Sequence, residues 1–95
     1  MLKQIDNKIL LLLKHRDSMD VMNDHKLRAM VCTVIEKAYF LESIMLLNTK
    51  FSESKDNQFF VAKSAVNRYF RDSGLDEVAD IYNELSIIAE PYITN

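Results

Sequence analysis

Glycine and proline are nearly missing from this 95-residue chain, which contains only Gly74 and Pro91. Average proteins devote about 12% of their residues to these two types. The tight turns of antiparallel sheets and the loops that cradle phosphates both depend on them. Apolar residues still make up 48% of the chain, enough for one hydrophobic core. We therefore predict a single all-α domain over residues 1–95, with four to five helices.

Apolar residues recur at steps of three and four in four parts of the chain, as on one face of a helix. Polar stretches at residues 17–23 and 48–56 separate the first three, and we interpret them as solvated connections. Asn23 or Asp24 is suited to cap the second helix, and Gly74 to end the third in a left-handed conformation. The predicted helices cover residues 2–16, 24–47, 57–72 and 75–89.

Two architectures fit residues 24–47. Leu27, Val31, Val34 and Ala38 begin a spacing typical of a coiled-coil seam, which favours one long helix in an antiparallel four-helix bundle. A break near Tyr39 would instead give a helical hairpin, so that the chain would consist of stacked hairpins. The spacing leaves both open.

Charge and hydropathy exclude several classes of partner. The formal net charge is −2, which leaves no surplus of cations for a nucleic-acid backbone. The longest apolar run, residues 9–13, is far shorter than the ~20 residues of a membrane span, and no secretory signal is expected.

Cys32 is the single cysteine, so no internal disulfide can form, and a cytoplasmic location is predicted.

The sequence contains no pattern typical of catalysis. His15 and His25 are too far apart for a helical metal site, and no cysteine or carboxylate completes one. Cys32 lies among valines without a neighbouring base, as a core thiol would. We therefore predict no catalytic residue, no metal and no cofactor, and a protein that is not an enzyme.

An excess of apolar side chains is the positive feature. On a continuous third helix, Phe60 and Phe70 lie outside the inward stripe of Phe59, Val66 and Tyr69. These two rings either pack against two neighbouring helices or line a groove for a partner. Both interpretations remain open.

The second half of the chain resembles tetratricopeptide repeats, whose period is 34 residues. The likeness is carried by Ala65, Tyr69, Gly74, Val78, Tyr82, Leu85 and Pro91. Among small repeat-like proteins of similar length, the chain resembles the cytoplasmic chaperones of type III secretion needle subunits. Further residues carry this likeness: Asp24, Lys26, Leu27, Val31, Cys32 and Leu75. In that family, helical hairpins sequester an amphipathic helix of the needle protein, and a small helical co-chaperone completes the complex.

The resemblance implies a partner groove formed by the first helix of each hairpin. Phe60 and Phe70 would be its apolar anchors, while Lys63 and Arg71 would orient acidic groups of the guest helix. The first helix of the chain would cap the array or bind the co-chaperone. The implied groove residues are Ala29, Thr33, Phe60, Lys63, Asn67, Phe70 and Arg71.

Two other functions fit the same sequence. Small acidic four-helix proteins also serve as immunity proteins that neutralise an antibacterial peptide or toxin. A self-associating regulatory bundle would use the same apolar excess to form a homodimer.

Overall fold

Helices account for most of the chain, as the scarcity of glycine and proline predicts. The computed structural model describes residues 2–51 and 54–93. In this part of the chain no strand occurs, and the all-α prediction is confirmed. The helices are α1 (Leu2–Arg16), α2 (Met19–Met22), α3 (His25–Leu46), α4 (Ser54–Val61), α5 (Lys63–Asp72) and α6 (Asp76–Ala89), followed by a short 3₁₀ helix (Glu90–Tyr92).

The helices α1 and α3 form the first antiparallel pair. Ile5, Ile9 and Leu12 of α1 are buried at the expected helical spacing. The predicted connection between the two helices contains the one-turn helix α2, whose Val21 is fully buried. At the start of α3 the Asp24 carboxylate accepts a hydrogen bond from the backbone N–H of Leu27 at 3.0 Å, so Asp24 is the cap of the two candidates.

The helix α3 continues through residue 39 without a break, so the hairpin alternative for residues 24–47 is wrong. Its core residues lie on both sides of that position, with Val34, Ala38 and Leu41 all fully buried. No glycine or proline interrupts this stripe. The helix ends at Leu46, and Asn48 then takes a left-handed φ of 49°. The first of two stacked tetratricopeptide-like hairpins is therefore absent, and the long-helix alternative is confirmed.

The predicted third helix, residues 57–72, is wrong as a single element. The chain forms α4, beginning at Ser54, and α5, and Ala62 between them has non-helical dihedral angles of −76° and 46°. In a continuous helix, residues 60 and 70 would be rotated about 80° from each other. The break at Ala62 removes this constraint, so that Phe60 and Phe70 can both turn towards the core.

The helix α6 is the centre of the fold. It forms an antiparallel hairpin with α5 around Gly74, which has the predicted left-handed φ of 79°. It also packs against α1, α3 and α4. Because several helices pack on it, α6 buries a broad face, about 160° wide at 100° per residue. Its buried residues are Val78, Ala79, Ile81, Tyr82, Leu85, Ser86 and Ala89.

Phe51 closes one end of the core, although the sequence predicted a solvated loop there. Its fully buried ring stacks on Phe40 at 5.5 Å and tilts against Phe60 at 5.6 Å between centroids. Its backbone N–H donates to the carbonyl of Tyr92 at 2.9 Å. Tyr92 and Ile93 are half-buried against the core, which ties the chain after α6 to this end of the fold.

Candidate protein-binding surface

The predicted anchors of the partner groove are core residues. Phe60 and Phe70 are each 0% exposed. Phe60 contacts the rings of Phe51 and Phe59, and Phe70 contacts Tyr69. The chain's own side chains enclose both rings, so the prediction that they face a guest helix is wrong.

The other five predicted groove residues lie on α3 and α5 at or near the surface. Ala29, Lys63 and Arg71 are exposed, whereas Thr33 and Asn67 are half-buried. The guanidinium of Arg71 is held within the chain, by Asp80 at 2.6 Å and by Asn67 at 2.8 Å. Lys63 borders a shallow cavity of about 490 Å³ beside the 3₁₀ helix, and Phe60 forms only its floor. The apolar groove inferred from the resemblance is therefore not assembled.

An exposed apolar surface lies instead on α1, and other exposed apolar side chains lie elsewhere, at Met19, Leu46, Leu47, Val61 and Ile87. Leu10 is 60% exposed and Leu11 37%, and Leu13 is half-buried beside them. A furrow of about 530 Å³ runs along this side of the helix. We call this surface the α1 outer face, and it is formed by Asn7, Leu10, Leu11, Leu13, Lys14 and Asp17.

A run of consecutive apolar residues explains this face. Successive residues of a helix are rotated by about 100°, so residues 9–13 place apolar side chains on all sides of α1. Ile9 and Leu12 take the buried positions. Leu10 and Leu11 are left in water. This five-residue run was the sequence signal for the surface. From the residues it was used to exclude a membrane span, and the resemblance gave the first helix a role in capping the array or binding a co-chaperone.

One ion pair and one hydrogen bond join α1 and α6 side by side. Lys8 Nζ lies 2.9 Å from Glu84 Oε2, and His15 Nε2 lies 2.7 Å from Glu77 Oε1. The partners are seven residues apart on both helices, as expected for an antiparallel pair in constant register. Because these contacts and the core hold the opposite side of α1, its outer face is presented in one orientation.

A pair of carboxyl groups lies across the seam between α1 and α3, where Asp6 and Glu42 share a hydrogen bond. Burial, and then the hydrogen bond and charge of Asp6, raise the pKa of Glu42 from its ordinary value to about 7. The two residues are 36 positions apart in sequence, so no local spacing indicates the pair. Below about pH 7 a proton on Glu42 therefore bridges the seam.

We expect Glu42→Gln to remove a pH dependence of stability. Between about pH 4.5 and 7, the folded protein keeps a proton on Glu42 that the unfolded chain releases. The free energy of unfolding of the wild type should therefore fall as pH rises through this window. The free energy of unfolding of Glu42→Gln minus that of the wild type should therefore increase by on the order of 1–2 kcal/mol from pH 5 to pH 8.

Urea unfolding of dilute protein at the two pH values measures this gain. Glu36→Gln, at an exposed position of α3, is the matched control for loss of a carboxylate. An identical difference between wild type and Glu42→Gln at both pH values would contradict a shared proton at the seam.

Other chemical groups form no site in the described part of the chain. Among residues 2–51 and 54–93, no three histidine, cysteine or acidic side chains are arranged to hold a metal ion. Within the same residues no helix combines the length and hydropathy needed to cross a bilayer. Cys32 is a half-buried free thiol, and His25 is exposed.

Comparison with known proteins reveals no relative: no family model, no curated protein and no solved structure matches this chain.

Proposed function

We propose that the chain is a non-enzymatic protein-binding module that holds an amphipathic helix against the α1 outer face. The exposure of Leu10 and Leu11 on a helix otherwise fixed to the core carries this proposal. Covering apolar surface is favourable by roughly 25 cal/mol per Å², and an exposed leucine face gains most from an apolar partner.

The shape and polarity of this face support recognition of a helix. A partner helix that carries apolar residues at steps of three and four could seat them in the furrow around Leu10. Asn7, Lys14 and Asp17 supply a polar border to the same furrow. Apolar contacts would then provide most of the affinity, and the polar border would set the register.

Co-purification with a matched pair of variants tests the proposal. Leu10→Glu should abolish capture of a helical partner by purified protein incubated with extract of the native host. Ile87→Glu, at a 63% exposed position on α6, should leave capture unchanged. Both variants should keep the helical circular dichroism of the wild type. Equal capture by wild type and Leu10→Glu would contradict a role for the α1 outer face.

The identity of the captured protein separates the predicted roles. An extended needle-like subunit would support the type III secretion chaperone that the resemblance implies, in the predicted cytoplasmic location. A toxin or antibacterial peptide would support the immunity function. The α1 outer face includes the leucines that were expected to cap the array or to bind a co-chaperone, so a small helical co-chaperone is a third candidate.

A further inference from the structure

The break at Ala62 is confined to one backbone bond. Its dihedral angles are −76° and 46°, and only the second departs from helical values. The helical hydrogen bonds on both sides are kept. The N–H of Ala62 donates to the carbonyl of Gln58 at 2.9 Å, and the N–H of Val66 donates to the carbonyl of Ala62 at 3.2 Å. A rotation of about 90° in ψ of Ala62 therefore distinguishes the bent form from one continuous helix.

The carbonyl of Phe59 has a different donor in each of these two forms. In a continuous helix it would accept the backbone N–H of Lys63, four residues later. The ψ angle of Ala62 sets the direction of that N–H and turns it away from the carbonyl. The hydroxyl of Tyr82 donates to the same carbonyl at 2.5 Å instead. The bend thus replaces a local backbone hydrogen bond with a hydrogen bond to α6.

Two aromatic rings hold the described part of α4 on the core. Phe60 is fully buried beside Phe51, and Phe59 packs edge-on against Tyr82 at 5.3 Å between centroids. Val61, next to the break, is 62% exposed, and the cavity of about 490 Å³ lies beside it. Local sequence and tertiary contacts therefore favour different conformations at this point of the chain, since the former predicts an unbroken helix.

We propose that Ala62 is a hinge at which α4 and α5 straighten into one helix, so that Phe60 leaves the core and uncovers Phe51. In the straight form the Phe59 carbonyl accepts from the N–H of Lys63 and releases the hydroxyl of α6. This inference is independent of the α1 outer face, and it adds a second arrangement of the fold to the proposed function.

The lengths of the helices explain why straightening releases α4. The hairpin of α5 and α6 starts at Gly74, and α5 has 10 residues whereas α6 has 14. The helix α6 therefore extends only about 6 Å beyond the start of α5. The helix α4 has 8 residues and is about 12 Å long, so that about half of it would project beyond α6. Its ring at position 60 would lose its cover there.

The straight form is a minor state of the folded protein. Opening moves the Phe60 ring from an apolar site into water, which outweighs the gain of one local backbone hydrogen bond. We expect a population on the order of 1% or less. The Tyr82 hydroxyl bonds to the Phe59 carbonyl only in the bent form. Tyr82→Phe should therefore raise the population of the straight form about tenfold.

Chemical exchange saturation transfer NMR of Tyr82→Phe tests the hinge, because it reports the backbone chemical shifts of a minor state. In the minor state the Cα shift of Ala62 should move to a helical value, and the amide proton of Lys63 should shift as on forming a hydrogen bond. The Cα shifts of Phe59 and Phe60 should stay helical. Random-coil shifts at these two residues would show that α4 unfolds rather than straightens, and would overturn the proposal.

Tyr39→Phe is the matched control for loss of a hydroxyl. Tyr39 is 51% exposed on α3, so this variant should keep the wild-type population of the minor state. The absence of any minor state in Tyr82→Phe, or an equal population in Tyr39→Phe, would also overturn the hinge.

A proline at position 63 should lock the bent form. Proline is favoured at the first residue of a helix, where its missing N–H is not needed, and Lys63 is the first residue of α5. Within a continuous helix the same proline would lose the hydrogen bond to Phe59 and clash with its carbonyl. Adding Lys63→Pro to Tyr82→Phe should therefore reduce the minor state at least about tenfold.

Ala62→Gly is a second locking variant that introduces no ring. Glycine disfavours the interior of a helix, so adding this change to Tyr82→Phe should reduce the minor state about fivefold. It decides the test if the proline variant does not fold. A minor state with helical shifts that Ala62→Gly leaves undiminished would overturn the hinge at this residue.

Discussion

Phe70→Asp is expected to abolish cooperative folding of this protein. The ring is fully enclosed, and truncation of a buried phenylalanine alone costs about 3–5 kcal/mol. An aspartate there adds the cost of placing a carboxylate in an apolar site. A chain of this length has a total stability of about 5–15 kcal/mol, so most of it would be lost. Thermal scans followed by circular dichroism should show no cooperative transition.

Two further variants make this result interpretable. Phe70→Ala should still fold, with a melting temperature lowered by at least about 12 °C. Leu10→Asp, which adds the same charge to the α1 outer face, should keep the helical content and melt within a few degrees of the wild type. A folded Phe70→Asp variant with a nearly unchanged melting temperature would show that the ring lies at the surface.

Tyr82→Ala should produce the second largest loss, on the order of 3–5 kcal/mol. Tyr82 is the largest of the fully buried side chains, and its ring packs edge-on against Phe59 at 5.3 Å. Its hydroxyl donates to the carbonyl of Phe59 at 2.5 Å. That carbonyl lies in the last turn of α4, where carbonyls lack partners within their own helix. Tyr82 therefore fixes the break between α4 and α5 onto α6.

Tyr82→Phe separates the hydrogen bond from the packing. This variant keeps the ring and leaves the Phe59 carbonyl without the hydroxyl, so it should cost only about 1–2 kcal/mol. Burial raises the pKa of the Tyr82 hydroxyl above its ordinary value, so the group remains a donor through neutral pH. Urea unfolding of both variants measures the two losses. Equal losses for Tyr82→Phe and Tyr82→Ala would contradict the role assigned to packing.

The sequence predicted the long, strongly periodic elements well. The bounds of α1 were predicted correctly, and those of α3 and α6 to within one residue, because each has a sustained apolar stripe and a recognisable end such as Asp24 or Gly74. The break at Ala62 could not be predicted, since nothing in the local sequence stops a helix there. It depends on tertiary contacts, chiefly those that Phe60 and Tyr82 make with the rest of the core.

The candidate site was predicted in kind but not in place. The sequence indicated more apolar side chains than one face of each helix requires, and the structure agrees. It assigned the surplus to Phe60 and Phe70 because an unbroken helix would direct them to different sides. Phe51, a single aromatic residue in a polar stretch, was the missed signal, since its ring fills the space beside Phe60. The surplus that remains exposed includes Leu10 and Leu11 of α1.

Carbene footprinting with residue-level mass spectrometry tests most directly whether the free apolar surface lies on α1 rather than on the aromatic rings. The protein is labelled in dilute solution, so that contacts between copies do not cover its surface. Leu10 and Leu11 should be labelled strongly, whereas Phe60, Phe70 and Leu12 should be protected until the chain is unfolded in urea. Strong labelling of Phe60 and Phe70 in the folded protein, with Leu10 protected, would contradict this prediction.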